Sequence, residues 1–266
     1  MPIVNQDKRK KAIQEVKDLC KNPANVWVIH YSCENCACLK GSSPRIITIV
    51  VQKLSDGQTR SFSIHEEAEL KGIQDITAEQ YSKLEKSMLA KFYSFIERNN
   101  DRKFLHWNMR DGNYGFAALE HRFGVLGGEP EILSDDNKKD LARILLDIYG
   151  SEYIGHSRLQ KLVEKNNIPS KDFLDAQAEA NAFAEGRYVA IHQSTLRKMN
   201  VIAAIFERVN NNSLKTNTKY WELHGGKIVS FFSFFRENVY ISGITTLWAF
   251  ISIVIGIVIA VTKFFG

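Results

Sequence analysis

The hydrophobic and polar positions of this chain alternate between two periods. Ala12, Ile13, Val16 and Leu19 recur at helical spacing and predict a helix from Gln6 to Leu19, stopped by Pro23 and Asn25. Val26 to His30 reads as a β-rich run, and Ile46 to Val51 as a stronger one, aliphatic enough to be buried on both faces. Ser55-Asp56-Gly57 predicts a hairpin turn into a third strand, Thr59 to Ile64. A helix follows from Thr77 to Asn99: Thr77 and Gln80 form a capping box, and Tyr81, Leu84, Met88, Leu89, Phe92 and Phe95 make its buried stripe. Phe104 and Leu105 are a short apolar run, and Phe116, Leu119 and Phe123 mark the next helix. Gly127-Gly128 and Pro130 break the chain. Further helices are predicted over Asp140 to Tyr149, Leu159 to Asn166, Asp172 to Phe183 and Ser194 to Val209, with Asn210-Asn211-Asn212 as a polar stop.

The pattern changes at the carboxyl end. From Val239 to Val261 no residue is charged, and a span of about 20 apolar residues is what a bilayer core requires of a helix. Lys215, Lys219, Lys227 and Arg236 precede this run and Lys263 follows it, which places the preceding domain on the cytoplasmic side. The expectation is a single-pass, tail-anchored protein of the inner (cytoplasmic) membrane, with Phe231, Phe232, Phe234 and Phe235 at the interface. The expected division is an N-terminal helix (1–25), an α/β domain (26–212), a juxtamembrane linker (213–238) and a transmembrane helix (239–263).

Composition adds limits. With 266 residues, 24% charged and 44% hydrophobic, the chain is long enough for one substantial core and too apolar for wholesale disorder. A net charge of +5 is compatible with nucleic acid or anionic lipid without choosing between them. Of four cysteines, three fall within Cys33 to Cys38, which is no secreted disulfide framework. His30, Cys33, Cys36 and Cys38 carry ligand types that zinc favours. Zinc at Cys33/Cys36/Cys38 is nonetheless disfavoured: no second pair closes a tetrahedron, and a strand sends alternate residues to opposite faces.

Chemistry concentrates between Phe104 and Phe123. His106, Trp107, Asn108, Arg110 and Asp111 stand in a strand-to-helix turn marked by Gly112, Asn113 and Gly115. His65, His106, His156 and His192 each follow an apolar run or a turn, and if folding brought them together they would form an acid/base or metal cluster. Ser194, Arg197 and Lys198 open the last predicted helix and offer an anion site at its amino end; Arg158 beside His156 is a weaker anion contact, and Arg110 adds positive charge at the turn.

Three strands, a helix, a strand and then helices is the element order of the ribonuclease H-like fold. Over about Val26 to Val209 the chain resembles the DEDD 3′–5′ exonucleases of that superfamily. The resemblance implies an α/β fold, a mixed sheet flanked by helices whose first three strands are antiparallel and whose later strands add in parallel. It also implies Mg2+ or Mn2+ held by acids, here Glu34, Asp111 and Glu179, with His106, Asn108 and His192 in the catalytic centre; the anion contacts read from the residues, Arg110, Arg158, Ser194, Arg197 and Lys198, are then expected toward substrate. The chain departs from the family in the stretch Tyr188 to His192, where histidine stands in the place of the last aspartate, and in the first motif, where Glu67 on the third strand is the substitute for a second acid. Stretches such as HWNMRD and STLRK also resemble those of bacterial proteins without an assigned activity. Two functions follow as expectations. One is a membrane-tethered exonuclease-like enzyme acting on nucleic acid or nucleotides, in the setting of a bacterial antiviral effector. The other is a catalytically inactive binding or sensor module of the same fold, signalling to its membrane helix through a partner protein or a homo-oligomer.

Overall fold

The computed structural model describes residues 4–34, 43–110, 114–219 and 222–223. Five strands form one mixed sheet in the order β3-β2-β1-β4-β5. They are β1 (Val26–Cys33), β2 (Ile46–Lys53), β3 (Thr59–Ser63), β4 (Lys103–His106) and β5 (Lys138–Asp140). β2 runs antiparallel to both β1 and β3, whereas β4 and β5 add in parallel beside β1. This is an α/β architecture, a mixed five-stranded sheet flanked by helices, with the mixed strand directions that the resemblance implied.

The eight helices among the described residues are α1 (Gln6–Lys21), α2 (Ile64–Leu70), α3 (Ala78–Glu97), α4 (Phe116–Val125), α5 (Leu141–Tyr149), α6 (Arg158–Asn166), α7 (Ala176–Ala184) and α8 (Tyr188–Asn210). They divide between the two faces of the sheet. On one, Val26, Val28, Val50 and Leu105 pack with α1, α5, α6 and α8. On the other, Trp27, Ile29, Tyr31, Ile49, Val51 and Phe104 pack with α3 and α4. β1 is therefore covered on both sides, which is why it reads as an apolar run rather than as an alternation. Truncating a fully enclosed residue such as Ile29 to alanine costs about 2–5 kcal/mol.

Local signals set several boundaries. Asn5 caps α1 by accepting from the Asp7 and Lys8 amides. Thr77 and Gln80 complete the predicted capping box on α3. Behind α4 the chain turns at Gly127, with φ +73°, and Gly128 sits so close to Phe123 that an added Cβ would lie 2.3 Å from the ring.

Four boundaries differ from the sequence reading. β5 is a strand of three half-buried polar residues without an apolar run to announce it. β3 passes directly into α2, so Glu67 is helical and faces α3, bonded to Ser87 Oγ at 2.8 Å and paired with Lys91; it does not reach the end of β1 as a substitute acid. The helix expected from Asp172 starts at Ala176, capped by Asp175, and buries only Ala182 completely. The last helix starts at Tyr188 rather than Ser194, because the Ser-Thr pair that resembles a cap lies inside it.

The region read as a linker begins on the domain. Leu214 is buried, the Lys215 amide donates to Asn166 Oδ1 at 2.8 Å, and Thr218 Oγ1 donates to the Tyr149 carbonyl at 2.8 Å. The apolar run Val239 to Val261 lies outside the described residues; among the described residues no helix is long and apolar enough to cross a membrane.

Candidate functional site

Three clusters of polar side chains lie at or near the sheet, each built by a different pair of elements. The first is the turn after β4. Parallel pairing sets His106 beside Ile29, so its ring faces α4 and meets Phe116 edge-on at 5.5 Å. Its Nδ1 accepts from the Met109 amide at 3.1 Å, which leaves the neutral ring with its proton on Nε2. Burial lowers the pKa of His106 to about 4, partly offset by the nearby Asp140 carboxylate. Asp140 organises the turn: one oxygen accepts from the Asn108 and Ala142 amides, both at 3.0 Å, and the other pairs with Arg110. Asn108 adopts φ +55°, and its side-chain oxygen accepts from Arg110 at 2.9 Å. His106 is only 1% exposed, and buried Asp140 Oδ2 has the Arg110 ion pair but no hydrogen bond. Asp111, predicted to be its acid, lies outside the described residues.

The second cluster lies at the carboxyl end of β1, where α/β sheets place ligands. His30 and Ser32 point from β1 toward α7 and α8. Glu179 on α7 reaches down to meet them: its Oε1 accepts from Ser32 Oγ at 3.1 Å, Ser194 Oγ at 3.0 Å and Lys198 Nζ at 2.9 Å. Ser32 Oγ also lies 2.9 Å from Thr195 Oγ1, and Ser194 Oγ accepts from the Leu174 amide at 3.0 Å. A cleft of about 300 Å3 opens here, lined among others by His30, Ser32, Tyr114, Gln160, Glu179 and Lys198. Tyr114 stacks on Tyr31 with ring centres 4.5 Å apart, and Lys198 lies over the Phe173 ring at 5.2 Å. Burial, reinforced by the charge of Lys198, lowers the pKa of His30 to about 3, so it stays neutral at physiological pH. A larger hollow of about 540 Å3 lies beside α1 at the opposite, amino ends of β1 and β4, away from these groups.

The third cluster lies where α2 and α8 meet the outer strands. His65, Glu66 and His192 each bring one ligand-type atom within 4.8 Å of the other two, an arrangement compatible with a divalent metal. The two rings are 4.8 Å apart, and His192 Nε2 is 4.0 Å from Glu66. Thr48 Oγ1 lies 2.9 Å from Nδ1 of His192, and Ser63 Oγ lies 2.8 Å from Nδ1 of His65. Burial, and then the neighbouring His65, lowers the pKa of His192 to about 4; burial also lowers that of His65.

The structure therefore distributes the predicted site residues over several places. Of the four histidines that were candidates to converge, His65 and His192 do so; His106 belongs to the β4 turn, and His156 stands just before α6. Glu34, the candidate first acid, gives both oxygens to Arg45 at 2.9 Å, and those bonds hold its carboxyl below the ordinary range. Arg45 is itself held between the rings of Tyr81 and Phe183. Ser194 and Lys198 join Glu179 inside α8, so the anion site expected at a helix amino end is absent there; Arg197 donates instead to the Lys171 carbonyl at 2.9 Å. Arg158 lies over Tyr153 and donates to the Ser151 carbonyl at 3.4 Å. His30 and Cys33 leave β1 on opposite faces, toward the cleft and toward the α3 side, while Cys36 and Cys38 lie outside the described residues. The sequence reading missed Asp140 as the anchor of the turn, Glu66, and the four hydroxyls of Ser32, Thr48, Ser63 and Thr195. Strand alternation was the signal for Ser32 and Thr48, which share the face that α8 covers.

No family model matches the chain, and no curated protein matches it. Among solved structures it aligns with the catalytic domain of the Mos1 mariner transposase over 79% of this chain and 93% of that one, with 9% identity and a TM-score of 0.25. A likeness at that score carries no argument about fold or activity.

Proposed function

We propose that this chain is a membrane-tethered module whose ribonuclease H-like domain recognises a nucleotide or nucleic acid without cutting it, and passes the bound state to its carboxyl-terminal membrane segment. The observation that carries this reading is the state of the candidate metal-binding acids. Two-metal hydrolysis needs carboxylates open to cations. Glu179 is already paired with Lys198 and takes two serine hydroxyls on the same oxygen, and Glu34 is closed by a bidentate arginine. Around that pair the cleft offers groups suited to binding: the remaining N–H donors of the Lys198 ammonium, the Tyr114 and Phe173 rings, and the Gln160 amide. Stacking surfaces beside a cation are how proteins hold nucleotides without reading base sequence. The apolar run from Val239 to Val261 supports the membrane attachment, and the basic residues before it support a cytoplasmic domain.

The competing reading is a metal-dependent nuclease centred on Asp111. The deciding experiment incubates the full chain, in detergent micelles, with labelled single- and double-stranded DNA and RNA and with Mg2+ or Mn2+. Binding of nucleotide or strand without cleavage, weakened in Lys198→Ala, is the expected result. Metal-dependent cleavage that disappears in Asp111→Ala overturns the proposal and establishes the enzyme.

A further inference from the structure

The His65, Glu66 and His192 cluster is independent of the cleft and of the reading just given. Its construction starts on the sheet. Thr48 of β2 and Ser63 of β3 are direct cross-strand partners. Each hydroxyl engages Nδ1 of one histidine, Thr48 that of His192 on α8 and Ser63 that of His65 on α2. An imidazole that donates from Nδ1 to an outer partner presents an unprotonated Nε2, and this is how proteins orient and set the tautomer of metal-binding histidines. The same strand pair thus fixes both rings. Ser63 is also the cap residue of α2, and its Oγ accepts from the Glu66 amide at 3.4 Å. That bond sets the first turn of the helix that carries Glu66. The Glu66 side chain is 39% exposed and that of His192 10%, so the cluster is closed by protein on the α8 side and open to solvent on the other. Among the described residues no lysine or arginine lies within ion-pair distance of Glu66.

We propose that His65, Glu66 and His192 form a mononuclear site for a late divalent transition metal of the zinc type, with three protein ligands and a fourth position open to water. Two imidazoles and one carboxylate match the donor preferences of Zn2+, whereas Mg2+ prefers an all-oxygen set. Metal–ligand bonds of about 2.0–2.2 Å bring three donors to roughly 3.3 Å from one another in a tetrahedron. The observed limit of 4.8 Å has to shorten on binding, and the partly exposed Glu66 side chain is the ligand with most freedom to move while the two hydroxyls hold the rings. The bound metal would tie α2 to α8 across the outer edge of the sheet.

The test uses the full chain, prepared without a polyhistidine tag, in detergent and stripped of metal. Titration with Zn2+ against a chromogenic chelator should give one equivalent that Mg2+ in large excess does not displace. Co2+ in its place should give visible d–d bands of a four- or five-coordinate site without thiolate charge transfer. His192 is buried, so its removal risks the fold; His65→Ala and Glu66→Gln decide instead. Each should weaken Zn2+ binding by at least about 100-fold, beyond the roughly 10–100-fold that loss of an outer-shell partner costs. The triple variant Cys33→Ser, Cys36→Ser, Cys38→Ser should bind as the natural chain does. Unchanged affinity in His65→Ala and Glu66→Gln, a thiolate band with Co2+, or no retained Zn2+ in the folded natural chain each overturns the assignment.

Discussion

Two carboxylates lie against the same helix, α8, and they are in opposite condition. Glu179 is enclosed: Lys198, Ser32 and Ser194 all donate to one of its oxygens, and its side chain is 17% exposed. Glu66 faces two imidazoles rather than a cation, and its side chain is 39% exposed. The difference lies in what surrounds each acid. A carboxylate already paired with a cation and bonded by its own chain holds the fold together and gains less from a ligand cation. One beside unprotonated nitrogen donors is incomplete without a cation, and it is there that a metal gains most. Position in the fold alone would have ranked the two sites the other way, since Glu179 occupies the end of the sheet where chemistry is expected.

The comparison can be broken most severely by acid. His30, in the enclosed region, takes a proton only near pH 3 in the folded state but near 6.5 when unfolded. His106 behaves alike, with a folded value of about 4. The unfolded chain therefore binds more protons than the folded one between these limits, and stability rises with pH there. It is fully present above about pH 6.5 and is lost progressively as the pH falls toward 4. Thermal unfolding followed by circular dichroism at stepped pH should show this loss beginning above the carboxylate range, and His30→Gln should flatten it. A melting temperature unchanged down to pH 5 would contradict the enclosed state of these rings.

A smaller effect follows from removing the cation of the enclosed pair. Lys198→Met leaves Glu179 charged and partly buried with hydroxyl partners alone. It should cost about 3 kcal/mol in denaturant unfolding, at the lower end for a broken buried pair because neither side chain is completely sealed. Adding Glu179→Gln should recover most of that loss, since the amide oxygen still accepts from Ser32 and Ser194 without an unpaired charge. If Lys198→Met alone is neutral, Glu179 is less confined than its contacts indicate, and the two carboxylates are not in opposite condition.

Smaller still are the changes to the outer partners of the open site. Thr48→Val keeps the shape and removes the hydroxyl at His192 Nδ1, so Zn2+ affinity should fall by about 10–100-fold in the chelator titration. Ser63→Ala should cost less, because the half-buried ring of His65 can find water in place of the hydroxyl. An equal or larger loss in Ser63→Ala would mean that the metal depends on the α2 cap more than on the α8 ring.

Much of this architecture is legible in the sequence, and the exceptions have physical causes. β1 to β3 and the α3 capping box announce themselves through aliphatic runs and a paired cap. β5 does not: Lys138, Lys139 and Asp140 become a strand only because the exposed backbone edge of β4 accepts them. α8 begins at Tyr188 without a side-chain cap, so Ser194 and Thr195 imitate a beginning that tertiary packing has placed earlier. At the candidate sites, the meeting of His65 with His192 was legible only as one of several possible convergences. Glu66 carried no signal of its own, because a glutamate in the first turn of a helix is ordinary there. What brings the three together is the register of Thr48 against Ser63, and register is invisible until strands pair.

The shallow seating of α7 has a consequence for motion. That helix buries one residue, Ala182, completely; beyond it the half-buried Phe183 packs against the Tyr81 and Tyr188 rings and the Arg45 guanidinium, and Glu179 bonds to α8 and β1. Segments with so little apolar anchorage detach in small cooperative openings well below the free energy of global unfolding. In hydrogen–deuterium exchange the amides of α7 should therefore be replaced far sooner than those of α3 or β1. Each such excursion strips Glu179 from its three donors and exposes the floor of the cleft, so whatever binds there is competing with the helix that normally covers it.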